Sequence, residues 1–313
     1  MLQIGIVKTR GYNKRGIYTE MNITRRDFLA GMLFSGAGFV STDSLFFEKS
    51  FIETNEFDIG IPASSNSTIR MLHISDLHLK KLTDHHKQLA DQVNGLNPEL
   101  LLFTGDIIES ERGLPHLDNL LRLFDPDVQK AAVMGNWERH HMIHPDKLQY
   151  VYESNNGALL INRSKVFIIN GKRLLVTGMD DLLNGRANFA AAVKNIAREE
   201  HHIVLMHCPE YRDHIESEIN RINSVRAADQ RLNIRYVFSG HSHGGQINIM
   251  GFAPALPPGV GKYVRGWFKD RSPMLYVSKG IGTSTIPVRF GARAEIALFN
   301  YHIATQKVKS VRS

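Results

Sequence analysis

The sequence predicts an α/β fold in which two packed sheets are flanked by helices. From residue 68 onward, short apolar runs recur and end in polar residues, which is typical of strands buried on both faces. Segments with helical spacing of apolar residues separate the first three runs, and the second half of the chain is rich in further strands. The alternation of strand and helix implies right-handed crossovers with the helices outside the sheet.

The first half of this region supplies three strands and two helices. Strands are predicted within residues 68–79, 100–108 and 131–138. Residues 84–99 between the first two are predicted to form a helix that stops at a Gly and Asn-Pro signal. Residues 113–124 show the same helical spacing before the third strand. The three strands are therefore expected to lie side by side in one sheet.

The second half begins with a predicted hairpin over residues 159–181, which turns at Asn170-Gly171. The other elements predicted here are a helix over 188–200 and strands within 202–210, 236–246, 274–282 and 295–302. We infer that a second sheet packs on the first within one domain over residues 61–313.

The N-terminal segment carries a targeting signature. Arg25 and Arg26 precede an apolar run from Leu29 to Val40, which is the order of a twin-arginine export signal. The run is too short to span a bilayer of about 30 Å as a helix. An uncleaved anchor at the membrane surface and an ordinary N-terminal helix both stay open. Residues 1–60 are therefore expected to form a targeting or membrane-anchor segment.

Composition and charge restrict the class of protein. With 42% hydrophobic and 22% charged residues among 313, the chain is typical of a globular protein and not of a disordered one. A net charge of +7 suggests an anionic partner, such as a membrane surface, nucleic acid or phosphorylated substrate, although a generic basic protein has the same charge. The single cysteine, Cys208, excludes an intramolecular disulfide framework.

Potential metal ligands stand at the ends of five predicted strands. They are Asp76, His78, Asp106, Asn136, His207, His241 and His243. Each alone is weak evidence, but sites in α/β sheets assemble outside the carboxyl ends of strands, where these residues would converge. The set is too large for one tetrahedral zinc and contains no thiolate. It suits two divalent ions that share a bridging carboxylate.

The motifs DLH (76–78), GD (105–106), GN (135–136), His207 and GHSHGG (240–245) resemble those of the calcineurin-like metallophosphoesterase family over about residues 68–303. The resemblance implies a β-sandwich flanked by helices and two metal ions that activate water for attack on phosphorus. By position, the first ion would be held by Asp76, His78, Asp106 and His243, and the second by Asp106, Asn136, His207 and His241. Oxygen and imidazole ligands favour Mn²⁺, with Fe or Zn as alternatives.

One residue departs from the family pattern. Most members have a His after Gly-Asn that assists the leaving group, whereas this chain has Trp137. An indole cannot supply that proton, so assistance must come from elsewhere or the leaving group must need little. We predict catalytic roles for Asp106, Asn136, Arg139 and His207, and substrate contacts for Trp137, His140, Lys279 and Arg289. His141 is a further candidate, and Cys208 is not expected to be a nucleophile.

The missing histidine also suggests a substrate. The resemblance extends to a branch of the family in which this His is replaced and UDP-2,3-diacylglucosamine is cleaved to lipid X and UMP in lipid A biosynthesis. A loop at 251–273 mixes basic and aromatic residues. It is expected either to dip into the membrane interface or to be a proline-rich surface loop with buried aromatic residues. The chain would then be a monomer on the cytoplasmic face of the inner membrane, with no nucleic-acid partner.

Two alternatives to this substrate stay open. The run GHSHGGQ together with 278–299 resembles the bacterial subgroup of twin-arginine-exported phosphodiesterases. The first alternative is therefore an exported phosphodiesterase or phosphatase of broad specificity. The second is a non-catalytic scaffold that retains the metal site.

Overall fold

The computed structural model describes residues 7–11, 19–23, 51–61, 68–248, 252–283 and 289–303. Strands β1 (Val7–Gly11) and β2 (Thr19–Ile23) form a separate antiparallel pair. The twin-arginine sequence and the apolar run after it lie outside the described residues. Among the helices of the described residues, none combines the length and hydropathy needed to cross a membrane.

The remaining elements form two mixed sheets with helices between their strands. The strands are β3 Glu53–Gly60, β4 Thr68–Ile74, β5 Leu100–Thr104, β6 Gln129–Val133, β7 Gly157–Leu159, β8 Arg163–Ile169, β9 Lys172–Gly178, β10 His202–Leu205, β11 Ile234–Ser239, β12 Gly266–Phe268, β13 Met274–Val277 and β14 Glu295–His302. The helices are α1 Asp84–Gly95, α2 Leu114–Leu121, α3 Asn136–His140, α4 Pro145–Glu153, α5 Phe189–Ala192 and α6 Arg212–Val225.

The two six-stranded sheets pack face to face. Their strand orders are β3-β14-β4-β5-β6-β7 and β12-β13-β11-β10-β9-β8. Met71 and Leu102 of the first sheet belong to the same buried apolar cluster as Leu205 and Phe238 of the second. Helices α1, α2 and α4 cover the outer face of the first sheet, and α5 and α6 cover that of the second. The fold is thus the two-sheet sandwich flanked by helices that the sequence predicts.

Local signals explain where several elements begin and end. Helix α1 starts after Thr83, whose backbone and side chain both contact the His86 ring. The predicted hairpin is confirmed as β8 and β9, which pair in antiparallel register. Asn170 and Gly171 at its turn have φ values of 48° and 75°, the left-handed backbone that this two-residue turn requires.

Two sequence-based boundaries are wrong. Strand β3 lies within the segment 1–60 assigned to targeting or anchoring, yet it pairs in parallel with β14 along its whole length. The folded domain therefore begins before residue 61. The helix expected over 188–200 is limited to α5, because Arg226 donates to the carbonyl oxygens of Val193 and Ile196 that a longer helix would use internally.

Candidate metal centre

The carboxyl ends of five strands meet at one edge of the sandwich and carry the candidate ligands there. Backbone hydrogen bonds join two of these ends, from Asp76 N to Gly105 O at 3.1 Å and from His78 N to Asp106 O at 2.9 Å. The ligand-bearing turns share a rare backbone conformation. Positive φ values between 50° and 71° occur at Asp76, His78, Asp106, His241 and His243. Such backbone is costly for residues other than glycine and is concentrated at functional sites.

Glycines in the same motifs let the backbone approach the carboxylates. A β-carbon at Gly135 would lie 2.2 Å from Asp106 Oδ1, and one at Gly240 would lie 2.3 Å from Asp76 Oδ2. Real side chains cannot approach so closely, so both positions require glycine. This explains why Gly precedes the ligand in the GN and GH motifs.

Asp76, His78 and His243 form the first buried cluster that could hold a metal ion. His78 Nε2 lies 3.2 Å from His243 Nε2, and His243 Nε2 lies 3.6 Å from Asp76 Oδ1. The other ring nitrogen of His78 lies 3.7 Å from the carboxylate of Glu109. A carboxylate on that side favours the proton on Nδ1 and leaves Nε2 free to bind a metal.

Asp106, His207 and His241 form the second buried cluster. Asp106 Oδ2 lies 3.3 Å from His207 Nε2 and 3.8 Å from His78 Nε2 of the first cluster. This carboxylate is therefore placed between the clusters, as a bridging ligand requires. Asn136 joins the second cluster, since its Oδ1 lies 2.9 Å from His207 Nε2.

The hydrogen bonds made by the outer ring nitrogens of the second cluster show whether its inner nitrogens are free to bind a metal. His207 Nδ1 lies 2.8 Å from Thr104 O, and His241 Nε2 lies 2.6 Å from Pro258 O. Because a carbonyl oxygen only accepts, these nitrogens carry the protons, and bare lone pairs remain on His207 Nε2 and His241 Nδ1. The two lone pairs face each other at 3.0 Å. Facing acceptors repel unless a proton or a metal ion lies between them, so the residues fit a divalent ion that replaces a proton on His207.

The electrostatics of the site favour positive charge. Burial acts to lower the pKa of His207, but the adjacent Asp106 carboxylate outweighs it and raises the pKa to about 10. Burial also acts to raise the pKa of Asp106, yet His207 holds it below its usual range. Burial and then His207 lower the pKa of His241 to about 4. Without a metal, an extra proton on His207 gives the positive charge that the neighbouring carboxylates favour. A divalent ion at the same place gives a larger positive charge.

Glu138 holds the turns that carry these ligands in place, although it is not among the site residues predicted from the sequence. The carboxylate is 1% exposed and accepts backbone hydrogen bonds from Asp106, Gly135, Ile107 and Ile108 at 2.6–3.1 Å. Burial raises its pKa to about 7, with a further contribution from Asp106. The sequence signal that could have revealed it is its position three residues after Gly135, where a capping-box acid stands.

Trp137 lies at the mouth of the site. Its backbone N–H donates to Asp106 Oδ1 at 2.8 Å, so this part of the residue orients the bridging carboxylate. Its ring meets the His78 ring edge-on, with centroids 5.1 Å apart, and stacks on His141 at the same centroid distance. The half-exposed indole thus forms an aromatic wall beside the first cluster.

Arg139 is held by an ion pair. Its Nε and Nη2 donate to Asp180 Oδ1 at 2.8 and 2.6 Å, and the Asp180 side chain is 5% exposed. Asp180 also accepts from the backbone of Asp181 and Arg186. The pair fixes the loop after β9 against helix α3, and it takes up much of the charge that the predicted catalytic role of Arg139 would use.

We expect Arg139→Ala to lower the free energy of unfolding by about 2–3 kcal/mol, because the nearly buried Asp180 loses its charged partner. Urea denaturation measures this loss. Arg122→Ala is the matched control, since Arg122 pairs with Asp118 on an exposed helix face and should change stability by less than about 0.5 kcal/mol. Equal effects of the two substitutions would contradict a structural role for the Arg139 pair.

Two of the expected substrate contacts are engaged by other protein groups, and a third lies at the surface. Arg289 is fully buried and donates to the carbonyl oxygens of Gly282, Lys279 and Ala292. Its Nη2 also contacts the ring of a candidate ligand, 3.3 Å from His243 Nδ1. Lys279 is paired with Glu53 and Glu295 at 2.9 and 3.1 Å. His140 is exposed and contacts the neighbouring His141 ring.

Three aromatic residues of the loop 251–273 pack against the domain, whereas Phe252 is 69% exposed. Tyr263 is 1% exposed, and Phe268 packs against it with ring centroids 4.9 Å apart. Trp267 lies against Phe57 and Tyr276 at the edge of the core between the sheets. For these three residues the structure favours the alternative of buried aromatic residues, because their apolar surface is used in packing.

The fold and the clusters agree with comparisons to known proteins. The family described as Calcineurin-like phosphoesterase matches residues 69–245, more than half of the chain. This protein belongs to the calcineurin-like phosphoesterase family, and it is accordingly a metal-dependent phosphoester hydrolase.

Individual relatives are similar over most of the chain. YkuE, an uncharacterised metallophosphoesterase of Bacillus subtilis, is 27% identical over 299 residues, covering 88% of this chain and 97% of YkuE. YkoQ, another from the same organism, is 27% identical over 247 residues, covering 76% of this chain and 84% of YkoQ. A transmembrane protein with a metallophosphoesterase domain from Danio rerio is 24% identical over 258 residues, covering 75% of this chain and 53% of that protein.

Proposed function

We propose that the protein hydrolyses a phosphoanhydride of a nucleotide-linked lipid, with UDP-2,3-diacylglucosamine as the substrate and lipid X and UMP as the products. The observation that carries the proposal is the indole of Trp137 beside His78, with ring centroids 5.1 Å apart. The indole N–H does not titrate in the physiological range, so this position offers no acid to protonate a departing alkoxide. A phosphate leaving from an anhydride needs no such acid.

The residues divide the chemical work between them. The two clusters would hold two divalent ions, which when bound supply an activated water and neutralise charge on the phosphoryl oxygens. We favour Mn²⁺ for both positions because the ligands are oxygen and imidazole. Asp106 would bridge the two positions, and Asn136 and His207 would hold the second ion against the substrate phosphate. Trp137 and His141 would present a flat surface to the uracil ring or an acyl chain.

The second candidate is an exported phosphodiesterase or phosphatase of broad specificity. It is favoured by the twin-arginine sequence at Arg25 and Arg26, since a lipid A precursor is processed on the cytoplasmic side. The packing of Trp267 and Tyr263 into the domain also removes one reason to expect a lipid substrate. A cleaved form found outside the cytoplasmic membrane would favour this candidate over the first.

For the first candidate we propose a peripheral location on the cytoplasmic face of the inner membrane and a monomeric protein without a nucleic-acid partner. The basic charge of +7 and the apolar N-terminal run support association with an anionic lipid surface. One relative from Danio rerio is itself named a transmembrane protein.

The substrate proposal is tested by incubating the full-length protein with Mn²⁺ and either UDP-2,3-diacylglucosamine or an alkyl phosphodiester. We expect release of UMP and little alkyl diester cleavage. Trp137→His should raise diester cleavage at least about tenfold by restoring a general acid. Trp137→Phe is the matched control, because it keeps an aromatic ring without an acid and should not. Diester cleavage by the wild type without UMP release would support the second candidate instead.

A further inference from the structure

We propose that His73, Thr104 and Ser75 form a buried hydrogen-bond relay that positions Asp76 for metal binding. His73 lies on β4 and Thr104 at the end of β5, so the relay runs between neighbouring strands in the centre of the first sheet. His73, Ser75 and Thr104 are all 0% exposed. The inference concerns metal binding, so it holds whichever phosphoester is the substrate.

The relay is continuous. His73 Nε2 lies 2.7 Å from Thr104 Oγ1, and Thr104 Oγ1 donates to Ser75 Oγ at 2.7 Å. The Ser75 hydroxyl lies beside the Asp76 carboxylate, since a β-carbon at Gly240 would lie 1.9 Å from Ser75 Oγ and 2.3 Å from Asp76 Oδ2. Burial acts to raise the pKa of Asp76, whereas this neighbouring hydroxyl acts to lower it. That carboxylate also accepts from the His241 backbone N–H, 3.0 Å from each of its oxygens. Asp76 is therefore held from two directions while it presents its remaining lone pairs to the first cluster.

The protons in this relay can point in one direction only. Burial raises the pKa of Asp76, but a carboxylate that binds a metal is ionised and accepts without donating. In the metal-bound protein, Ser75 therefore donates to Asp76 and accepts from Thr104. Since the Thr104 hydrogen points to Ser75, the hydroxyl can only accept from His73, and the His73 proton lies on Nε2. Among the described residues, His73 Nδ1 has no hydrogen-bond partner, which fits a nitrogen without a proton. Burial lowers the pKa of His73 to about 3, so the ring stays neutral.

Thr104 connects the relay to both clusters. Its side chain leads through Ser75 to Asp76, while its carbonyl oxygen accepts from His207 Nδ1 at 2.8 Å. Replacing the hydroxyl by a methyl group breaks only the first connection, because the backbone contact to His207 needs no side chain. Valine keeps the branched shape of threonine and suits a strand. Thr104→Val should therefore weaken metal binding at the Asp76 cluster and spare the cluster of His207.

The second sheet supplies a matched control. His202 Nε2 lies 2.7 Å from Thr177 Oγ1, which lies 2.6 Å from Ser164 Oγ, and Ser164 donates to Ala192 O at 2.9 Å. His202 and Thr177 are as buried as His73 and Thr104, and burial lowers the pKa of His202 to about 3 as well. This relay has the same three residue types but ends on a backbone carbonyl. Thr177→Val should cost similar stability without touching a candidate ligand.

The test is a titration of the metal-free full-length protein with Mn²⁺, followed by calorimetry and by electron paramagnetic resonance of the unbound ion. We expect two sites in the wild type and in Thr177→Val. In Thr104→Val, the dissociation constant of one site should rise about tenfold, the lower end of the range for a lost hydrogen-bond partner of a metal ligand, because Ser75 remains beside Asp76. Thermal denaturation without metal measures the stability cost of each substitution.

Unchanged affinity at both sites in a folded Thr104→Val protein would overturn the proposal. An equal loss in Thr177→Val would also overturn it, because the effect would then reflect general destabilisation. If Thr104→Val does not fold, Ser75→Ala removes the last hydroxyl of the relay and is read by the same criteria. Failure to cleave UDP-2,3-diacylglucosamine would reject the substrate without affecting these affinities.

Discussion

Asp106→Asn should reduce phosphoester hydrolysis by on the order of 10³-fold, the range seen when a group that stabilises transition-state charge is removed. Asp106 Oδ2 is near a histidine of each cluster, 3.3 Å from His207 Nε2 and 3.8 Å from His78 Nε2. Asparagine has nearly the same shape and can still accept the Trp137 N–H bond through its oxygen. The substitution therefore removes the bridging charge while it leaves the surrounding turn in place.

The measurement is the initial rate with saturating Mn²⁺, together with the number of Mn²⁺ ions bound per chain. We expect the variant to bind fewer than two ions with high affinity. Asp118→Asn is the control, because Asp118 accepts from Arg122 and Asn155 on the helical layer and contacts neither cluster. Full activity of Asp106→Asn would show that this carboxylate does not bridge two metals.

Glu138→Ala should lower the free energy of unfolding by about 4 kcal/mol and also weaken metal binding. The carboxylate accepts from the backbone of Asp106, Gly135, Ile107 and Ile108, and each buried N–H left without a partner costs about 1–3 kcal/mol. Water that enters the space would recover part of this cost. The metal effect arises because the same turn carries Asp106 at a φ of 54°.

Denaturant unfolding and Mn²⁺ titration of the same samples separate the two effects. Glu138→Gln should fall between wild type and Ala, since its amide nitrogen cannot accept a backbone N–H. Glu153→Ala on the exposed end of α4 is the control and should change neither quantity much. A stable Glu138→Ala protein with normal metal affinity would contradict the role assigned to this carboxylate.

The sequence allows the metal clusters to be predicted because each ligand is specified locally. Asp76, Asp106 and His207 each follow an apolar strand, and a short turn is enough to place them at the edge of the sheet. The structure brings the three together at the carboxyl ends of their strands. The sandwich is predictable for the same reason, because strand periodicity and the Asn170-Gly171 turn are local signals.

Residues whose role depends on distant partners could not be predicted in this way. Lys279 has the charge expected of a phosphate ligand, but Glu53 lies 2.9 Å from its ammonium and is far away in sequence. Arg139 and Arg289 are likewise engaged by groups that no local pattern reveals. A basic side chain in a sequence can serve a substrate or a buried carboxylate, and only the tertiary structure distinguishes them.

The position of the aromatic residues in the loop 251–273 could not be predicted from the sequence for a related reason. Tyr263 and Trp267 have the composition of an interfacial segment, but the same rings also suit the edge of a core. Strand β12, which pairs Trp267 with Tyr276 of β13, turns the ring toward the space between the sheets. The aromatic composition of the loop indicates that the rings will be shielded from water. Whether lipid or protein shields them depends on how the strands pair.

The pairing of β3 with β14 has a consequence for any shortened form of the protein. A chain that starts at residue 61 would leave the outer row of N–H and C=O groups along β14 without partners. An open row of this kind on an apolar strand is a template for adding a strand from another molecule, and such proteins self-associate and aggregate. It would also remove Glu53, one of the two carboxylates that hold Lys279. Truncations intended for solubility should therefore retain residues 51–60.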